Sequence, residues 1–182
     1  MKLIRSGFDG LEFAVKATIP DDVEKSLASL KQRAAEQHGE ICAKLHGEWL
    51  TVRETGARGG YGYSCRHEPT GDWFFKKPNA GDPWGIRFSA SSGALVVLGF
   101  EGLRLRAMKL IAQLGIDAPV DAYRPSRIDF AVDFLAPDFE VCSRNFVMHS
   151  RTNRKSHDLI EEVIENGRSS RTTSVTIGKM PS

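Results

Sequence analysis

The stretch Arg127-Ile-Asp-Phe-Ala-Val-Asp-Phe134 alternates without a break. As a strand it places Ile128, Phe130, Val132 and Phe134 on one face and Arg127, Asp129, Ala131 and Asp133 on the other. The first set reads as a core face. The second puts two carboxylates and a guanidinium on what reads as a central, heavily buried strand. Buried ionised carboxylates are costly unless a cation or hydrogen bonds compensate them. The strand therefore points to a metal or phosphate site. A structural Arg–Asp network on an exposed sheet face explains the same pattern equally well.

The rest of the chain supplies a sheet for this strand. Residues 2–17 read as a strand, or as a strand pair bent at Asp9-Gly10. Asp21 is a candidate N-cap, with Glu24 three residues on, and Val23, Leu27, Leu30 and Ala34 give helical spacing. Trp49–Arg53, Tyr61–Cys65 and Trp73–Phe75 read as antiparallel strands, joined by Gly56-Ala-Arg-Gly-Gly60 and Pro69-Thr-Gly71. Trp84–Ala90 and Ala94–Leu98 read as a further hairpin. A helix is expected from Glu101 to Leu114 and another from Pro137 to His149. A short helix is expected around Leu159, Ile160, Val163 and Ile164, then a β-branched strand, Thr172–Ile177. The sum is an α+β fold: a mostly antiparallel sheet with helices packed on it, in one domain spanning 1–182.

Composition narrows the class. With 41% hydrophobic and 26% charged residues the chain is globular, and a net charge of +2 does not by itself demand a nucleic-acid partner. Cationic residues gather between 144 and 171. Three widely spaced cysteines, Cys42, Cys65 and Cys142, form neither a disulfide framework nor a zinc motif, so a reducing, cytoplasmic setting is expected. No signal-peptide core and no membrane-length apolar run is present.

Three segments share one order with a known family. Ser6-Gly-Phe-Asp-Gly-Leu11, Arg127-Ile-Asp-Phe-Ala-Val-Asp133 and Thr176-Ile-Gly-Lys-Met-Pro-Ser182 resemble the replication initiation factor family, the rolling-circle initiators of plasmids and phages. The resemblance implies origin-DNA binding, as a hairpin or a single strand, and metal-dependent nicking by a tyrosine. In that family the Ile-Gly segment runs on into a Tyr-Asp-Lys strand, with the nucleophile further downstream. Tyr61, Tyr63 and Tyr123 are the tyrosines here, and none has a nucleophile's context. Hence the chain reads as the N-terminal part of a longer initiator, or as a shortened relative.

The implied chemistry assigns roles. Asp129 and Asp133 are the metal candidates, with Arg127 orienting a carboxylate or a phosphate; hard oxygen ligands suit Mg²⁺ or Mn²⁺. On a straight strand the two aspartates stand about 13 Å apart at about 3.3 Å per residue, too far to share one ion. Asp9, Glu12 and Glu54 are possible further ligands. Arg58, Lys76, Lys77, Arg168, Arg171 and Lys179 are the DNA-contact candidates, and Trp73-Phe-Phe-Lys-Lys77 mixes aromatics with cations as single-strand surfaces do. Two other functions fit the same residues. One is a protein-binding inhibitor of a host defence, such as an anti-CRISPR, derived from a shortened initiator. The other is a DNA-binding module without chemistry.

Overall fold

The computed structural model describes residues 1–68, 70–78, 80–135, 157–164 and 170–177, the last two segments by their backbone. Two compact units are present. One is Leu3–Asp133; the other combines Met1–Lys2 with Phe134–Ser182.

The larger unit is built on an antiparallel sheet of seven strands. In chain order come β1 (Lys2–Val15), α1 (Asp21–Glu36), β2 (Glu40–Leu45), β3 (Glu48–Arg53), β4 (Tyr61–His67), β5 (Gly71–Lys76), β6 (Ile86–Ala90), α2 (Ser92–Gln113), a 3-10 turn (Val120–Ala122) and β7 (Tyr123–Leu135). The strand order is β2-β3-β4-β5-β6-β1-β7. Five strands follow one another as hairpin neighbours; β1 then pairs with β6, and β7 adds to β1.

Registers explain which face is sealed. Val52 stands opposite Cys65, Cys65 opposite Trp73, Trp73 opposite Phe88 and Phe88 opposite Phe13. All belong to one buried cluster, which Val23, Leu27, Leu30 and Ala34 of α1 and Leu103, Ala107, Leu110 and Ile111 of α2 complete. The rings of Trp73 and Phe88 lie 4.5 Å apart, and those of Phe13 and Phe88 4.8 Å. Burial pushes the Cys65 thiol up to about 12. The fold expected from sequence is therefore present: helices lie on one face of an antiparallel sheet.

Several expectations are corrected. The Asp9-Gly10 turn is absent, because β1 runs unbroken through both residues. Asp21 is not the helix cap; α1 begins at Asp21 after Pro20, and Asp21, Asp22 and Glu24 face the positive end of the helix dipole. β2 lies in a stretch where no strand was expected. Ala94–Leu98 is helical, not a strand. The Ser91 hydroxyl accepts from the Ala94 amide at 3.2 Å and starts α2, which breaks at Gly99, where φ is +66°.

β7 stands at the end of the strand order, not in its centre, and its apolar residues are not a core face: Ile128 is 52% exposed and Phe130 63%. The sheet reaches β7 only after the helices have covered β2 to β6 and part of β1.

In the second unit, β8 (His157–Ile164) pairs antiparallel with β9 (Ser170–Ile177). The helix expected around Leu159–Ile164 is thus a strand; its residues stand opposite Ser170–Val175, where Thr172, Thr173 and Val175 favour extended backbone, and pairing outweighs local helical spacing. The helix expected over 137–149 lies outside the described residues.

Candidate nucleic-acid interface

The sheet face turned away from the helices carries the charged residues. Arg66 stands opposite Thr51 and Asp72, Asp72 opposite Ser89, and Ser89 opposite Glu12. Arg53 donates from Nε to Glu40 Oε1 at 2.9 Å and from Nη2 to Asp72 Oδ1 at 3.0 Å; Arg66 Nε donates to the same Asp72 oxygen at 3.2 Å. Asp72 thus joins two guanidinium groups.

A similar arrangement occupies the β1–β7 margin. Arg127 donates from Nε to Asp129 Oδ1 at 3.0 Å and from Nη2 to Asp129 Oδ2 at 2.6 Å, and its Nη1 lies 3.8 Å from Glu12. The hydrogen bonds to Asp129 raise the Arg127 pKa above its already high ordinary value. Arg5 lies 3.4 Å from Asp9 and 3.7 Å from Asp133. Asp129 can lie there because Gly10 has no side chain: a Cβ on Gly10 would come within 2.4 Å of Asp129 Oδ2.

The metal candidates are therefore arginine-paired. Asp129 and Asp133 are held by different arginines, and among the described residues no three His, Cys, Asp or Glu side chains form a group that could hold a metal ion. This placement does not fit a divalent ion shared by the two aspartates.

A third cluster lies between these two networks. Phe74 is buried but lies outside the core cluster, on the charged face, opposite Ser64 and Arg87. The Arg87 guanidinium sits 4.4 Å from the Phe74 ring centroid and 5.3 Å from that of Tyr61. Lys76 Nζ is 5.0 Å from the Tyr61 centroid and pairs with Asp82. Arg87 has no ion pair with any described residue, and its buried Nε lacks a hydrogen-bond partner. A buried donor left without a partner costs about 1–3 kcal/mol.

Of the DNA-contact candidates, Lys76 is buried in this cluster and Lys77 is exposed beside it, where its stem would be met by a Cβ on Gly62. Arg58 lies in the turn between β3 and β4. Arg171 stands opposite Val163 in the β8–β9 ladder; Arg168 and Lys179 lie outside the described residues. Trp73-Phe-Phe-Lys-Lys77 divides by strand alternation: Trp73 and Phe75 enter the core, while Phe74 and Lys76 face the charged side.

Tyr63 is no nucleophile candidate in this setting. Burial, then a hydrogen bond to the Glu24 carboxylate, raise its hydroxyl pKa well above the ordinary value. Burial raises the pKa of Tyr123 as well.

The sequence reading missed a buried polar relay. His67 Nδ1 lies 2.8 Å from Thr70 Oγ1 and Nε2 lies 3.4 Å from Glu48 Oε2. Trp73 Nε1 donates to Thr70 Oγ1 at 3.1 Å, and that hydroxyl is 3.2 Å from the His67 carbonyl. The hydroxyl has one proton. Whether it goes to the carbonyl or to Nδ1 follows from the tautomer of the imidazole. Burial alone would raise the Glu48 pKa, but hydrogen bonds from His67 and Gln113 and the charges of His67 and Lys109 outweigh it and lower the pKa. Thr70 is 0% exposed, whereas Glu48, at the other end of the relay, is partly exposed. Spacing His67-Glu-Pro-Thr70 around a turn was its only sequence signal.

These features define an α+β sheet protein with one helix-covered and one charged face. No family model matches the chain, and neither does any curated protein or solved structure. Among the described residues no helix is long and apolar enough to cross a membrane.

Proposed function

We propose that the chain is the DNA-binding part of a rolling-circle replication initiator and holds origin DNA on the charged sheet face. One observation supports this most directly: α1 and α2 cover one face of the sheet and leave the arginine-bearing face of β3 to β6 uncovered by either. A flat sheet with cations and aromatic rings suits the sugar–phosphate backbone and unpaired bases. The near-neutral net charge is no obstacle, since local clustering governs attraction at short range.

The test is fluorescence anisotropy of a labelled DNA hairpin with a single-stranded arm, at low and moderate salt. Affinity that falls steeply with salt supports the proposal. No binding at low salt would sink it. The Mg²⁺ or Mn²⁺ role expected of the acidic strand is tested separately and at Asp129 alone, because the two aspartates do not share one ion. Mn²⁺ should strengthen binding by the parent and not by Asp129→Asn. Equal responses would remove the metal role and leave a DNA-binding module without chemistry.

A further inference from the structure

We propose that Arg87, Tyr61 and Phe74 form a subsite for single-stranded DNA, with Arg87 taking a phosphodiester and Tyr61 stacking a base. The inference rests on the DNA-binding reading and names the ligand class of one part of that face.

The argument starts from a contrast among arginines on one surface. Arg53, Arg66 and Arg127 each hold a carboxylate. Arg87, between them in the sheet, holds none among the described residues, yet its guanidinium is held in place by Phe74 at 4.4 Å and Tyr61 at 5.3 Å. A stacked guanidinium is positioned by its planes and keeps hydrogen-bonding capacity for an anion, and its fork matches two phosphate oxygens. The Arg87 Nε is buried and has no hydrogen-bond partner among the described residues.

The neighbouring rings select the kind of anion. Tyr61 is partly exposed and lies 6.2 Å from Phe74. An exposed aromatic beside a phosphate ligand suits a flexible strand whose bases are unpaired; a duplex keeps its bases stacked on each other. Lys77, exposed at the end of the same strand, extends the positive path along the backbone.

The experiment measures binding of a labelled fifteen-residue oligothymidylate to the full chain, with an unlabelled duplex of equal length and polyglutamate as competitors. Arg87→Met should weaken binding about tenfold and reduce the slope of log affinity against log salt by about 0.7, the loss of one phosphate contact on a single strand. Tyr61→Ala should weaken it about tenfold and Tyr61→Phe should restore it, since stacking needs the ring and not the hydroxyl. Arg53→Met serves as the comparison and should change the slope less. Far-ultraviolet circular dichroism of each variant checks that the sheet is intact. Parent binding with no effect of either Arg87→Met or Tyr61→Ala would overturn the subsite and leave the broader DNA reading standing. Competition by polyglutamate equal to that by the oligonucleotide would overturn the single-strand assignment. A parent that binds no DNA would overturn both.

Discussion

The middle of the seven-stranded sheet and its β1–β7 margin follow the same alternation and end differently. In β5 and β6, Trp73, Phe75, Ile86 and Phe88 are fully buried beneath the helices. In β7, Ile128, Phe130 and Val132 belong to an equally regular pattern and are about half exposed. Phe8 and Phe100 reach toward this margin, with ring centroids of Phe8 and Phe130 5.8 Å apart, and a cavity of about 180 Å³ lies nearby among Leu11, Phe13, Leu103 and Tyr123. Alternation thus specifies which residues share a face; it does not specify whether another layer covers that face.

The comparison can be broken at its strongest point first. Phe88→Ala should cost about 3–5 kcal/mol of unfolding free energy in urea, whereas Phe130→Ala should cost far less, because its ring already meets solvent. Equal losses would mean that β7 is sealed in solution. Next, Thr70→Val should cost about 1–3 kcal/mol, since it strands the Trp73 indole and a His67 nitrogen in the interior; the shift in urea midpoint reads this.

Glu48 gives a smaller effect with a definite sign. Its folded pKa lies below the ordinary 4.5, so the stability it contributes is fully present above that value and is lost as pH falls through the lowered one. Between pH 6 and about pH 3 the parent should therefore lose more stability than Glu48→Gln. A parallel loss in both would remove the relay from the acid response. Arg127→Met should have the smallest effect on unfolding, with no change detectable at moderate salt, because the Arg127–Asp129 pair is exposed and screened.

The legible parts of the sequence were those where period and capping agreed. α1 shows a clean apolar stripe, and a glycine-rich turn separates β3 from β4. The misread parts had local signals that tertiary context overruled. Val96-Val97 resembles a strand, yet Ser91 caps a helix through it. Leu159–Ile164 has helical spacing, yet pairs with a β-branched run. At the candidate site, the Arg127–Asp129 pairing was legible from spacing of two, while the Arg87 cluster was not. Its three members come from three strands, and only the register of β4, β5 and β6 brings them together.

The bare Cα of Gly10 makes the position of one acidic group depend on a residue that carries no chemistry of its own. A methyl group there would evict the Asp129 carboxylate from its place over β1 and disturb its grip on Arg127, without altering either partner. That carboxylate ends a flexible, partly exposed side chain and can swing aside, so the change would fall on the Arg127 pairing and leave the β1 backbone in place.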